Sequence, residues 1–146
     1  MCIVVSRKRF YITKEPKRSY KVLFKRNKKL YPPYYYENIC YKLNLKYSIP
    51  EGEFEETVED LILPYSSSRI TTIGFYSFDN IRSARKLKKQ FQNSLFYRGR
   101  YTNFVIVECE IPKNTKYISG KERGSAFLGT HKTYCSQSII IRKILE

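Results

Sequence analysis

Residues 74–93 read GFYSFDNIRSARKLKKQFQN and join an apolar strand to the clearest helix pattern of the chain. The segment Ile70–Phe78 is apolar and extended, which predicts a strand interrupted at its glycine. Beyond it, apolar residues recur at helical spacing and predict a helix over Asp79–Asn93. This apolar stripe consists of Ile81, Ala84, Leu87, Phe91 and Leu95. We expect Asp79 or Ser77 to cap the helix, since either side chain accepts a hydrogen bond from a free backbone N–H.

Strand patterns lie on both sides of this helix. Phe104–Ile111 is the strongest, and its apolar first half indicates burial on both faces. A hairpin is predicted from strand Tyr20–Lys25, a turn at Arg26–Lys29 and a return strand that begins with Leu30. Further strands are predicted at Met1–Val5, Ile39–Ile49, Lys116–Ile118 and Ser138–Leu145.

The segment Glu51–Asp60 is acidic, with carboxylates at Glu51, Glu53, Glu55, Glu56, Glu59 and Asp60. Its apolar residues recur at helical spacing and predict a second, short helix near Glu53–Leu63. Ser119–Lys132 contains three glycines and is predicted to be a mobile loop. The chain is therefore predicted to be a single α+β domain over residues 1–146, with a mostly antiparallel sheet, one principal basic amphipathic helix and a second short helix.

The chain carries 28 Lys and Arg against 13 Asp and Glu, a net charge of +15. A small domain needs a net charge of only ~2–8 for solubility, so a phosphate-bearing partner explains this excess better than solubility alone.

No apolar run approaches the ~18 residues of a membrane span, and the charges of the first ten residues follow their apolar stretch, the reverse of a signal peptide. We expect a cytoplasmic protein without a membrane partner, whose four cysteines are reduced thiols. These are Cys2, Cys40, Cys109 and Cys135.

Two basic clusters are the candidate phosphate contacts. One is the helix face of Arg82, Arg85, Lys86 and Lys89, whose spacing projects them together. The other is the predicted hairpin turn, with Lys25, Arg26, Lys28 and Lys29. Aromatic rings among basic residues can stack on bases, and the stacking candidates are Tyr34, Tyr35, Tyr36 and Tyr76. The alternatives are an ordinary solvated helix face and tyrosines that fill the edge of a small core.

Three other features of the sequence are candidate sites. His131 and Cys135 form H-x-x-x-C, which lacks the further ligands of a zinc site and the third group of a cysteine nucleophile. The glycine-rich stretch Ser119–Ser125 matches no phosphate-loop motif. The acidic segment Glu51–Asp60 is suited to docking a protein or to clamping the basic surface of its own chain. No metal and no cofactor is expected.

The stretch Gly74–Ala84 resembles the motif of the poly-ADP-ribose-polymerase-type ADP-ribosyltransferases, in which a glycine and an aromatic-small-aromatic strand precede a helix. The resemblance extends over Gly74–Leu145 and implies that Tyr76 stacks on nicotinamide. Under this resemblance, Gln137 stands where the family has a catalytic carboxylate. The early strand Tyr20–Lys25 lacks the His or Arg with which the family holds the NAD ribose. The resemblance thus implies a member that binds without catalysis. The phrase Ile111–Tyr117 is similar to small phage proteins.

Together these patterns predict a non-enzymatic, basic protein of viral or phage type. Its expected partner is nucleic acid, a nucleotide signal or a ribonucleoprotein, and inhibition of a host defence system fits its size and charge. Two alternatives stay open. One is an NAD-dependent enzyme like the ADP-ribosyltransferases, and the other is a protein-docking inhibitor that uses residues 51–60.

Overall fold

The structure, a computed structural model, describes residues 3–5, 10–32, 39–55, 58–59, 68–70, 74–93, 103–122 and 131–146. These residues form one mostly antiparallel sheet of twelve strands and two helices. The predicted α+β class and the mostly antiparallel sheet are therefore confirmed. Neither helix of these ranges is long and apolar enough to cross a membrane.

The elements follow one another along the chain. They are β1 (Ile3–Val5), β2 (Tyr11–Ile12), β3 (Lys17–Arg26), β4 (Lys29–Tyr31), β5 (Lys46–Ser48), α1 (Glu51–Glu55), β6 (Val58–Glu59), β7 (Ser68–Ile70), β8 (Phe75–Phe78), α2 (Ile81–Asn93), β9 (Phe104–Ile111), β10 (Lys116–Glu122), β11 (Lys132–Ser136) and β12 (Ser138–Ile144). The sheet order is β5-β12-β9-β3-β8-β11-β10-β1-β7-β6, with β2 added to β10 and β4 added to β3. The central strands thus pair with partners distant in sequence.

The core lies on both faces of the central strands. On one face, α2 buries Ala84, Leu87 and Phe91 against a cluster that includes Val22 and Phe78. The opposite face carries a second cluster built from β3, β4, β8, β9 and β12 together with Tyr41. Because β9 contributes buried residues to both clusters, its predicted burial on two faces is confirmed. The expected stripe residue Leu95 lies outside the described residues.

The helix α2 begins two residues later than predicted, and neither Asp79 nor Ser77 caps it. Asn80 is the cap, because its Oδ1 accepts a hydrogen bond from the backbone N–H of Ser83 at 3.1 Å. Asp79 instead accepts a hydrogen bond from the Tyr134 hydroxyl at 2.6 Å, and Ser77 is buried within β8. Of the two side chains that the sequence predicted as caps, Asp79 therefore contacts β11 and Ser77 lies within β8.

The second helix also differs from its predicted bounds, because part of the predicted segment pairs with a strand distant in sequence. The helix predicted over Glu53–Leu63 is wrong in its bounds, since α1 covers only Glu51–Glu55 and Val58–Glu59 is a strand that pairs with β7. The residues 60–63 of that prediction lie outside the described residues. The expected strand Ile70–Phe78 is two strands, one ending at Ile70 and one beginning at Phe75.

The predicted loop Ser119–Lys132 is wrong at both ends. Residues Ser119–Glu122 continue β10, and Lys132 opens β11 as the partner of Lys121. Residues 123–130 lie outside the described residues. The strand expected over Ile39–Ile49 is reduced to the three residues of β5.

The β3–β4 hairpin forms where the sequence predicted it. Asn27 and Lys28 both have positive φ, 49° and 64°, as a two-residue type I′ turn requires. This turn matches the twist of the two strands and sets Arg26 opposite Lys29 and Lys25 opposite Leu30. A lysine at such a φ is uncommon, because its Cβ crowds the backbone there.

Candidate nucleic-acid interface

The basic face of α2 projects from a well-anchored helix. Arg82, Lys86 and Lys89 are exposed and make no ion pair with any described residue. Arg85 differs, because its Nε lies 2.8 Å from the Glu146 carboxylate and its Nη2 contacts the same oxygen. This hydrogen-bonded pair raises the pKa of Arg85 and lowers that of Glu146. Three of the four predicted helix cations are thus available to a partner.

The hairpin supplies the second group of cations. Arg26, Lys28 and Lys29 are exposed and Lys25 is half-buried. Arg26 and Lys29 occupy directly opposite positions on the two strands, an arrangement in which like charges repel. The structure thus concentrates positive charge at this end of β3.

A chain of aromatic contacts links the hairpin to α2. Near the end of α2, Phe91 stacks on Phe104, with ring centroids 5.2 Å apart. Phe104 is the strand partner of Phe24, the residue before Lys25. The hairpin therefore lies at the same end of the sheet as the carboxyl end of α2. We call the combined set the basic surface, and it comprises Lys25, Arg26, Lys28, Lys29, Arg82, Lys86 and Lys89.

One of the predicted stacking residues, Tyr76, is buried in the core. Tyr76 is only 5% exposed and packs in a core cluster with Phe54, Ile118 and Cys135. Its burial argues against stacking on a base or on nicotinamide. The stacking candidates Tyr34, Tyr35 and Tyr36 lie outside the described residues.

A different group of tyrosines forms a ladder on the sheet. The Tyr11 and Tyr117 rings stack at 5.5 Å, and Tyr117 meets Tyr134 edge-on at 5.8 Å. The Lys17 ammonium lies 5.0 Å from the Tyr134 ring centroid, and the Lys132 ammonium lies 5.7 Å from it. The alternation of side chains along β10 and β11 assigns each tyrosine to one face of its own strand. Only the pairing of the two strands shows that Tyr117 and Tyr134 share the same face of the sheet. Sequence reasoning therefore missed this ladder.

His131 is hydrogen-bonded to a serine in the first turn of α2. Its Nδ1 lies 2.8 Å from the buried Ser83 Oγ, which joins the first turn of α2 to the residue before β11. Burial, followed by the positive charge of Lys86, lowers the pKa of His131, so the ring is neutral at pH 7. Cys135 belongs to a core cluster instead. Within the described ranges, no group of three His, Cys, Asp or Glu side chains is arranged to hold a metal ion.

The described cysteines are free thiols. They are Cys40, Cys109 and Cys135, of which the last two are buried. Burial raises the pKa of Cys109 to about 12. Because the thiolate is the reactive form of cysteine, Cys109 is an inert core residue at neutral pH.

The acidic segment begins with an internal ion pair. Glu51 on α1 contacts the Lys116 ammonium on β10 at 3.2 Å, which agrees with a clamp on this chain's own cations at that one position. The Glu51 side chain is 70% exposed, so the pair adds little to stability. The side chains of residues 55–60 lie outside the description.

The stretch that resembles ADP-ribosyltransferases covers β8 and the first turn of α2. Gln137 lies between β11 and β12, where its side-chain amide donates a hydrogen bond to the Ile49 carbonyl at 3.1 Å. No family model, curated protein or solved structure matches the chain. The resemblance therefore stays a prediction.

Proposed function

We propose that this protein binds a phosphate-bearing polyanion, nucleic acid in the first place, through the basic surface. The observation that carries this proposal is the exposed face of α2. Arg82, Lys86 and Lys89 lie on it without an ion pair to any described residue, and the helix sequence contains no acidic residue. A phosphate backbone supplies the negative charges that this face lacks.

The energetics of the free protein favour such a partner. Arg82 and Lys86 are four residues apart and Lys86 and Lys89 are three apart, so like charges are neighbours along the helix. Each such pair destabilises a helix by about 0.2–0.5 kcal/mol. The facing Arg26 and Lys29 of the hairpin add a further repulsion. A bound polyanion places negative charge beside these cations and offsets their mutual repulsion.

The surface is also rigid enough to present its charges in fixed positions. Ala84, Leu87 and Phe91 are each at most 4% exposed and hold α2 on the sheet. Asn80 closes its first turn. The helix therefore loses little backbone entropy on binding, and its side chains alone need to order.

Oligonucleotide binding followed by fluorescence anisotropy over a range of salt tests the proposal. The variant Arg82→Gln/Lys86→Gln/Lys89→Gln removes the three available helix cations. Each lost phosphate contact should reduce the slope of log affinity against log salt by ~0.9 for duplex DNA. We expect the slope of the triple variant to fall by about 2–3.

A matched variant separates site from overall charge. Arg18→Gln/Arg142→Gln/Lys143→Gln removes the same number of charges, but from cations that pair with Glu108 or Glu110. We expect this control to keep most of the wild-type slope. Equal losses in the two variants would show non-specific attraction to net charge, and no binding by wild-type protein at low salt would end the proposal.

A further inference from the structure

Among the four cations predicted on the face of α2, Arg85 alone forms an ion pair with a described residue. Its Nε donates a hydrogen bond to the Glu146 carboxylate at 2.8 Å, and its Nη2 contacts the same oxygen. Two donors of the guanidinium therefore converge on one carboxylate oxygen. Arginine uses the same forked donors for carboxylates and for phosphates, so Glu146 holds Arg85 by the groups that a phosphate would need.

Arg85 occupies a central position in the row of helix cations. It lies three residues after Arg82 and four residues before Lys89, and residues at these spacings are neighbours on a helix surface. A polyanion that contacts both Arg82 and Lys89 would therefore pass over Arg85. The Glu146 carboxylate places a negative charge at this point of the row.

The sheet fixes the backbone of Glu146 close to the helix. The Leu145 N–H donates a hydrogen bond to the Ile106 carbonyl at 2.8 Å, and the Ile106 N–H donates one to the Glu146 carbonyl at 2.8 Å. Ile106 is buried in the core cluster that packs against α2. These backbone contacts do not depend on the ion pair, so the carboxylate stays near Arg85 when the pair opens.

The ion pair itself is exposed and easily exchanged. The Arg85 side chain is 53% exposed and that of Glu146 is 36% exposed, and pairs in such surroundings contribute little to stability. The hydrogen bond from Arg85, with a smaller contribution from the charge of Lys88, lowers the pKa of Glu146. The carboxylate is therefore charged at pH 7, and a phosphate can replace it on Arg85 at little cost.

We propose that Glu146 competes with the polyanion for Arg85, because its carboxylate occupies the place of a phosphate on the basic face of α2. In the free protein Arg85 is withheld, and a phosphate reaches it only by displacing the carboxylate. The competition lowers the affinity at one position and leaves the other three helix cations unaffected. This inference rests on the proposed function, because the competing ligand is the polyanion of that site.

Salt-dependent binding of a fluorescent DNA duplex to Glu146→Gln tests the competition. The variant keeps the size of the side chain and removes the charge that holds Arg85. It should bind more tightly than wild type, with a slope of log affinity against log salt that is steeper by up to ~0.9, the value for one added phosphate contact. Its advantage over wild type should therefore shrink by up to about 8-fold over a tenfold rise in salt.

Two further variants separate the competition from a general effect of charge. Glu110→Gln removes the same charge from another glutamate–arginine pair, formed with Arg142 outside the basic surface, and should give a smaller gain. In the Arg85→Gln background, Glu146→Gln should have no more effect than Glu110→Gln.

The outcomes also separate this inference from the proposed function. No gain in Glu146→Gln, a gain no larger than that of Glu110→Gln, or a gain that persists in full without Arg85 would overturn the competition and leave the proposed function standing. Failure of the wild type to bind the duplex at low salt would overturn the proposed function and the competition with it.

Discussion

Replacing Lys28 with glycine should stabilise the protein and at the same time weaken its binding to a polyanion. Lys28 has φ 64° at the tip of the β3–β4 hairpin. This left-handed conformation costs an L-residue about 1–2 kcal/mol, whereas glycine adopts it freely. The greater freedom of glycine in the unfolded chain lowers the free energy of unfolding by about 0.5–1 kcal/mol and offsets part of this gain. The net gain is roughly 0.5–1 kcal/mol.

Urea denaturation of three proteins measures this gain. The midpoint for Lys28→Gly should rise by a few tenths molar over wild type, given a slope of about 1–3 kcal/mol per molar. Lys28→Ala should show no such rise, because it removes the charge and keeps the Cβ. A midpoint for Lys28→Gly at or below wild type would refute the argument. An equal rise in Lys28→Ala would assign the gain to relief of charge repulsion rather than to the backbone.

The same two variants connect the turn to function. Both remove one ammonium from the basic surface, so both should weaken oligonucleotide binding to a similar extent, whatever happens to stability. Such a loss would explain why a lysine occupies a position that favours glycine. Unchanged binding in both variants would remove Lys28 from the basic surface.

Three further outcomes are expected. In Gly74→Ala, the new Cβ would lie 2.3 Å from Cys135 Sγ and should cost about 1–3 kcal/mol in thermal or urea unfolding; Gly52→Ala, with nothing within 4 Å, should cost nothing. Burial lowers the pKa of His131, so stability should fall as the pH drops below the ordinary histidine value of 6.5. His131→Gln should flatten that dependence between pH 7 and 5, and an unchanged slope would contradict it. Asn80→Ala should lose about 1 kcal/mol and Asn80→Asp should not, unless the cap contributes nothing to α2.

Local patterns predicted the elements whose signal is long or strongly periodic. The helix α2 and the strand β9 appear almost where the sequence placed them, because the apolar stripe of a thirteen-residue helix and the apolar first half of an eight-residue strand are strong local signals. The sequence predicted the hairpin equally well, but it did not indicate the positive φ values of Asn27 and Lys28.

Pairing between distant segments explains most of what was missed. Helical spacing in the acidic segment was overridden because Val58–Glu59 pairs with β7. The sequence also did not indicate which tyrosines are exposed, since Tyr76 and Tyr11 both follow a phenylalanine but are 5% and 39% exposed. The tyrosine ladder joins strands from the two ends of the chain, and no local pattern reports such a juxtaposition.

The central position of β3 has a consequence for how the protein is made. Residues 17–26 pair with β8 and β9, so most of β3 leaves the ribosome well before these two partner strands exist. Pairing over such separations is slow, and an unpaired strand is a template for association with other chains. Five of the ten residues of β3 are Lys or Arg, and repulsion between like-charged chains opposes that association. The positive charge that we propose as the attraction for a polyanion thus also opposes aggregation of the growing chain.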